Sequence, residues 1–596
     1  MGPTLLGLFL FGTAADAFSQ PNQTGFFTVT PCRVADTRNA DGPWGGPALA
    51  GGTERTFTVV GRCGIPSSAD AVSVNVTVTG ASASGALRVY PAGYAPPNAS
   101  AINYRPGRTR ANNGSYALSG TGALGIRCDQ AAGTGTHVIL DVSGYYETGT
   151  APPPPPPPPP TSARWARAYG DPSDDRGQAV AVDSSGNVTM TGHLDGSTDF
   201  GGGRVSSYVH PAMGPTTDVV VAAYSASGGY RWARVIGSDS SEEGKGIATD
   251  AFGNVHVTGY QGSYAVDYGG GPQYVRAGTD IFVAKYSSAG SWVWSKTVGG
   301  NGPDQGNAVA TDAAGSTFVT GYMGASSVGV NLGGAVLNSA GQADVFLVKY
   351  SSTGAHLWSR RFGSAGNDAG WAAAVDPAGN VLIAGTFEGN VDFGGGVLSS
   401  AGLRDVFVAK YNSAGTFLWA RNFGGAGDEM VFGLAVDSVG DVALAGKFQS
   451  SVNFGGGNLS SAGSDDGFVL KITGALGAHV WSKRFGGASG DIATAVDFDG
   501  SNNVVAAGYF YGLVDFGGVS HSSFGVDAFA SKYTASGALL WSRRYGSSDT
   551  QIADGVAVAP NGDVILSGFF GGSVDFGTGP LVSLGGYDGF TANIGP

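Results

Sequence analysis

WARAYG at residues 165–170 returns as WARVIG (232–237), WSKTVG (294–299), WSRRFG (358–363), WARNFG (419–424), WSKRFG (481–486) and WSRRYG (541–546). Successive tryptophans stand 60 to 67 residues apart. A period of this length marks stacked supersecondary units. Each unit leaves an apolar face that only a neighbour can cover.

Working outward from each Trp phrase, a Gly-rich loop leads into a short apolar run ending in Asp, such as AVAVD at 179–183. A turn of the SSGN or PAGN kind follows, then a second run ending in Gly, such as VTMTG at 188–192. A longer segment carries DFGGG (199–203), a third run such as DVFVAKY (405–411) comes next, and SAG leads to the following Trp strand. Runs rich in Val, Phe, Tyr, Ala and Thr, bounded by Gly, Ser, Asn and Asp, are strand-and-turn chemistry. The repeats hold no sustained 3.6-residue apolar period and no helix N-cap signature. Four antiparallel strands per repeat make one propeller blade.

The repeat region opens with a lone Trp strand (163–170) and closes on a third strand, DGFTANI from Asp588, with no Trp strand after it. Seven inner runs and seven Trp strands are therefore present, permuted by one strand. The expectation is an all-β, seven-bladed β-propeller over 163–596 in which the first Trp strand completes the last blade, leaving no open sheet edge. AVAVDSSGNV, the VTG after it and the DVFVAKYSSAG-type run resemble the SBBP-type bacterial β-propeller repeat. That resemblance implies a surface or secreted protein and no particular activity.

Ahead of the repeats, residues 25–148 read as a small all-β, sandwich-like domain, with alternation in VSVNVTVT (72–79), ALRVYPAG and HVILDVSGYY. TPCRVADTR, GRCGIP, NVTVTG, AINYRPGRTRANN and DVSGYY resemble a small β domain found at the ends of exported bacterial proteins, which implies binding or anchoring at the envelope. Asp36, Arg38, Arg108 and Arg110 fit Arg–Asp pairs that fix loops. An apolar stretch at 4–18, with Ala15-Asp16-Ala17 as an A-x-A site, reads as a signal peptide over 1–20. Between the domains, 149–162 hold nine consecutive prolines (152–160), a polyproline II spacer of about 3.1 Å per residue.

Gly supplies 103 of 596 residues and charged residues only 13%, which suits tight turns between many short strands. The net charge of −13 argues against a nucleic-acid partner, since phosphate binding needs a basic face. The cysteines are Cys32, Cys63 and Cys128, without the paired spacing of a zinc site. One disulfide, Cys32 with Cys63, is the preferred reading; three reduced, buried thiols are the alternative. No metalloprotease, nucleophile-elbow or P-loop motif is present, and seven scattered histidines lack ligand-spaced partners. DFDGSNN (497–503) faintly resembles a calcium loop, yet stands where other repeats carry a plain hairpin. No metal, cofactor or catalytic residue is expected.

Positions that recur from repeat to repeat, including the Trp, the DFGG-type motif and the aspartates that precede the third strands, serve the architecture. A column at the start of the inner strand varies instead: Gln178, Lys245, Asn307, Trp371, Phe432, Ile492 and Asp554. Its place puts it around one mouth of the central channel, and the DFGGG connections are expected to open onto the same face. Trp371 and Phe432, from adjacent blades, could form an aromatic platform for a sugar ring. Asp175, Glu242, Asp304, Asp368 and Glu429 precede the column by three residues and read first as caps of their own loops. Three functions fit: an exported, non-enzymatic binding or adhesion protein taking a glycan or protein ligand as a monomer; a hydrolase or lyase of an extracellular polysaccharide using Asp368 or Glu429; and a purely structural surface protein.

Overall fold

A computed structural model describes residues 25–147, 165–210, 214–262, 265–275, 277–325 and 329–596. The signal-peptide reading (1–20) and the proline spacer (149–162) lie outside the described residues. The chain divides into two compact units, Met1–Pro160 and Thr161–Pro596. Among the described residues every regular element is a β-strand.

In the first unit, one sheet orders Gly25–Asp36, Gly135–Glu147, Ala71–Thr79 and Arg110–Ala117, with Leu49–Ala50 also on Gly135–Glu147. The other orders Glu54–Thr58, Ala123–Asp129, Gly85–Pro91 and Ile102–Tyr104. Side chains from both sheets, including Val72, Val74, Val76, Phe57, Leu87 and Ile126, share one core. Cys32 is disulfide-bonded to Cys63, and Cys128 is a buried free thiol. Arg38 donates to Asp36 at 2.7 Å and holds its carboxyl down at about 2, while Arg33 reaches Asp141 at 2.8 Å.

Among its described residues the second unit contains seven four-stranded antiparallel sheets. Sheet one orders Arg176–Val182, Val188–Asp195, Thr217–Tyr224 and Tyr230–Ile236, and sheets two to six repeat that order. Sheet seven takes Gln551–Val558, Val564–Phe570 and Asp588–Asn593 from the end of the chain and its outer strand, Trp165–Tyr169, from the start. Trp165 pairs with Asn593 and Tyr169 with Gly589. Inner strands of consecutive sheets pack side by side, and that of sheet seven packs on that of sheet one, closing a ring. Third strands such as Asp405–Tyr411 are buried along their whole length, as a strand covered on both faces must be.

The recurring tryptophans join each sheet to the next. The Trp165 indole N–H donates to Ala226 O at 3.2 Å, Trp232 to Ser288 O at 3.1 Å and Trp481 to Ala535 O at 3.0 Å; Trp294, Trp358 and Trp419 do the same. Each acceptor lies in the outer hairpin turn of the following sheet. The glycine of that turn sits under the ring: a Cβ on Gly228 (φ +79°) would meet Trp165 at 2.5 Å. Only glycine allows both that φ and that approach. At the seventh junction Arg543 bonds Ile594 O and Pro596 O at 2.8 and 3.1 Å.

Buried lysines add a second tie. Lys285, Lys349, Lys410, Lys471 and Lys532 pair with the turn aspartates Asp250, Asp312, Asp376, Asp437 and Asp499 at 2.8 to 3.0 Å. Lys285, Lys349 and Lys410 also reach a turn carbonyl of the next sheet.

One expectation is corrected. The DFGGG connections leave from the mouth face, but the motif itself forms the tip of a two-stranded hairpin, Ser197–Asp199 on Arg204–Ser206 in sheet one. Asp199 accepts from Gly201 N and Gly203 N. Gly201 and Gly202 then lie against Tyr230, at the opposite end of the sheet. The equivalent Phe393 carbonyl accepts the Tyr411 hydroxyl at 2.8 Å. These tips therefore seal the periphery and do not line the channel mouth.

Candidate functional site

Each inner strand carries a β-bulge at the same place, at Gln178, Lys245, Asn307, Trp371, Phe432, Thr494 and Asp554. An extra residue in one strand re-aims its side chain, and these seven line a cavity of about 190 Å³ on the ring axis. Above it a vestibule of about 330 Å³ keeps all seven and adds Gln305, Ile492 and Tyr509.

Sheet six corrects the sequence reading. Thr494, not Ile492, occupies the bulge, and Ile492 stands two residues nearer the vestibule, equivalent to Arg176, Glu243 and Gln305. The sequence AVDFD holds two aspartates, and Asp497 mimics the one that ends the inner strand. The true equivalent is Asp499, whose carboxylate accepts from Ser501 N and Asn503 N as Asp183 does from Ser185 N and Asn187 N. Lys532 fills the remaining side of Asp499 at 3.0 Å, so a lysine ammonium stands where the faint calcium reading would place an ion. Among the described residues no group of three metal-ligating side chains occurs.

With the register corrected, Asp491 joins the loop acids as the sixth, and the uncharged Gln551 holds the equivalent place in sheet seven. All seven side chains are fully buried. Asp304 accepts from Gly300 N at 2.7 Å and Gly324 N at 3.0 Å; Asp175, Asp368 and Asp491 likewise span two backbone amides. Glu242 and Glu429 hold the loop amides of Ser238 and Gly425. Gln551 does this work uncharged, accepting from Ser547 N and donating to Gly571 O. Burial pushes Asp175, Asp304 and Glu429 up to about 7 and Asp491 to about 6, against the pull of those amides. Asp368 and Glu429, the acids a hydrolase would have used, therefore cap loops and line neither the cavity nor the vestibule.

Around the ring, most polar groups are already engaged. Lys245 is ion-paired with Glu243. Asn307 donates to Gly370 O at 2.8 Å and accepts from Gln305 at 2.7 Å. Thr494 bonds Ala553 O, and the Trp371 indole N–H reaches Thr386 Oγ1 at 3.1 Å. The Arg176 guanidinium stacks over Phe569 at 4.2 Å. Gln178 and Asp554 are the two ring members whose side-chain polar groups make no hydrogen bond or close ion pair to the protein among the described residues. Burial pushes the Asp554 carboxyl up to about 7, with Arg176 and Lys245 pulling the other way. Trp371 and Phe432 are half-buried with ring centroids 6.5 Å apart and planes at 57°.

No protein-family model matches the chain. An uncharacterized WD repeat-containing protein of Acanthamoeba polyphaga mimivirus is 23% identical over 504 residues, covering 68% of this chain and 36% of the relative. The Regulatory protein FlaEY of Caulobacter vibrioides is 31% identical over 190 residues, 30% of this chain and 19% of the relative. The chain thus spans little more than a third of the length of one relative and about a fifth of the other. Among solved structures, Sqt1 from Chaetomium thermophilum covers 71% of this chain and 85% of its own at 11% identity and TM-score 0.34. Quinohemoprotein alcohol dehydrogenase from Comamonas testosteroni covers 73% and 76% at 11% identity and TM-score 0.35. The ring of four-stranded sheets is a β-propeller architecture, and one of the two similar relatives is named for its WD repeats. Among the described residues no helix is long and apolar enough to cross a membrane.

Proposed function

We propose that this chain is an exported or cell-surface, non-enzymatic binding protein. In this reading a seven-bladed propeller of SBBP-type repeats presents its channel mouth to an extracellular glycan or protein ligand. The small N-terminal β domain and the proline spacer attach it to the envelope, and it acts as a monomer. One observation carries the reading: the inner bulge is the recurrent position that takes a different residue in every sheet, and the seven side chains converge on one cavity. The recurrent Trp, turn Gly, DFGG and loop-acid positions are all committed to holding the ring together. Side chains on a rigid scaffold, freed from structural duty, are where recognition is usually carried.

The test is binding of the full chain to whole bacterial cells and to glycan and protein arrays, compared with the Trp371→Ala plus Phe432→Ala double variant. The proposal expects saturable binding that the double variant loses while its melting temperature stays near that of the parent. Binding that survives the double substitution unchanged would reduce the propeller to a structural role.

A further inference from the structure

The two ring members with unengaged polar side chains are neighbours, because the inner strands of sheets seven and one pack together. Sheets four and five, which bear Trp371 and Phe432, lie opposite them in a ring of seven. The channel therefore sets an aromatic wall against a carboxyl and a carboxamide. Between them, Asn307 and Thr494 each spend a donor on a backbone carbonyl of the next sheet, and Lys245 is ion-paired with Glu243.

Resting on the channel-mouth reading above, we propose that the ligand group is a neutral sugar ring at a chain end or side branch, its C–H face on Trp371 and Phe432 and its vicinal hydroxyls on Asp554 and Gln178. The chemistry fits on three counts. A pyranose has an apolar C–H face and an equatorial rim of hydroxyls, and the π faces of two aromatics match the former. Planar carboxyl and carboxamide groups each offer two heteroatoms in one plane, so each can engage two adjacent hydroxyls, and Gln supplies donor and acceptor together. The vestibule, about 330 Å³, sits at the small end of ligand pockets, which run from about 300 to 1,000 Å³. It admits one or two rings and not a long internal stretch of polymer. A uronate would place its carboxylate beside Asp554; of the two cations that act on that carboxyl, Arg176 is stacked over Phe569 and Lys245 is ion-paired with Glu243.

The experiment titrates the full chain by calorimetry with methyl glycosides of neutral hexoses, with methyl glucuronide, and with short acidic and basic peptides. Saturable binding of a neutral glycoside is expected. Trp371→Ala and Asp554→Ala should each weaken it about tenfold or more, the scale of a lost charged hydrogen bond or stacking face. Trp371→Phe keeps a ring and should stay within about threefold; it also guards against simple misfolding. If a peptide or the glucuronide binds and loses affinity in Trp371→Ala while neutral glycosides do not bind, the sugar assignment falls and the recognition mouth stands. If cells or arrays bind through the mouth but no glycoside competes, the sugar assignment falls in the same way. Loss of every mouth-dependent signal overturns both.

Discussion

At the outer strands, six tryptophans rest on glycine turns of the next sheet and donate to a carbonyl there, and the residue never changes. At the inner strands, seven equivalent bulges carry seven different residues: Gln178, Lys245, Asn307, Trp371, Phe432, Thr494 and Asp554. Both sets occupy repeated backbone environments, so the backbone alone does not explain the contrast. The Trp clasp works between sheets, and six of the seven junctions use it. The bulge side chains meet at one axis, where seven copies of any bulky residue would crowd, and in the proposed function each has its own task toward one ligand. Repetition here reports architecture, and its local failure reports where the molecule faces something else.

The contrast can be broken first at the ring's closure. Deleting Trp165–Tyr169 removes the outer strand of sheet seven and bares the Asp588–Asn593 edge. The expected outcome is the largest of all: loss of a single cooperative melt and appearance of oligomers by size-exclusion chromatography, as an unpaired edge recruits other chains. Next, Trp481→Ala leaves a void over Gly537 and an unmet Ala535 carbonyl, and should cost about 3–5 kcal/mol by denaturant unfolding. Trp541→Ala should cost clearly less, since its junction is held by Arg543. Equal losses at Trp481 and Trp541 would break the clasp account.

A third change acts on the loop acids. Asp304→Asn turns an amide N–H toward one of the two backbone amides that Asp304 accepts, at an expected cost of about 1–3 kcal/mol. The same acids set a pH dependence. Asp175, Asp304 and Glu429 have ordinary values of 3.8, 3.8 and 4.5 and folded values of about 7. Between those limits the folded state holds the extra protons, so their contribution to stability falls as pH rises from about 4 to 7. The paired Asp250, Asp312, Asp376 and Asp499, all lowered, work in the opposite sense and lose stability as pH drops below the ordinary carboxylate range. Urea midpoints across pH 4–7 should decline less steeply in Asp304→Asn than in the parent. The smallest expected stability change is at the mouth itself: Trp371→Ala, half-buried against a cavity, should cost below about 1 kcal/mol, although the proposed ligand should then bind about tenfold more weakly or worse.

Strand order, the hairpin turns and the borrowed outer strand were legible in the sequence, because Trp, Gly and Asp recur wherever the chain must turn or pack. The clasp was not: Trp481 meets a turn some fifty residues away, and spacing alone names no acceptor. The five lysine–aspartate ties were hidden in runs such as DVFVAKY, where a lone Lys reads as the exposed end of a strand. The mouth was legible in six of seven sheets. It slipped in sheet six because Asp497 imitates Asp499, and that slip also concealed Asp491 among the loop acids. The DFGG tips were placed at the mouth because connection order fixes where a segment leaves a sheet and not where its tip folds back.

Closure of the ring is tested most directly by paired cysteines. Ala166→Cys with Ala592→Cys spans the junction between the two ends of the repeat region, and Ala420→Cys with Ala409→Cys spans the equivalent pair within sheet four. Under mild oxidation, peptide mapping by mass spectrometry should recover both cross-links to a similar extent. Formation of the second without the first would contradict the closed ring and the mouth built upon it.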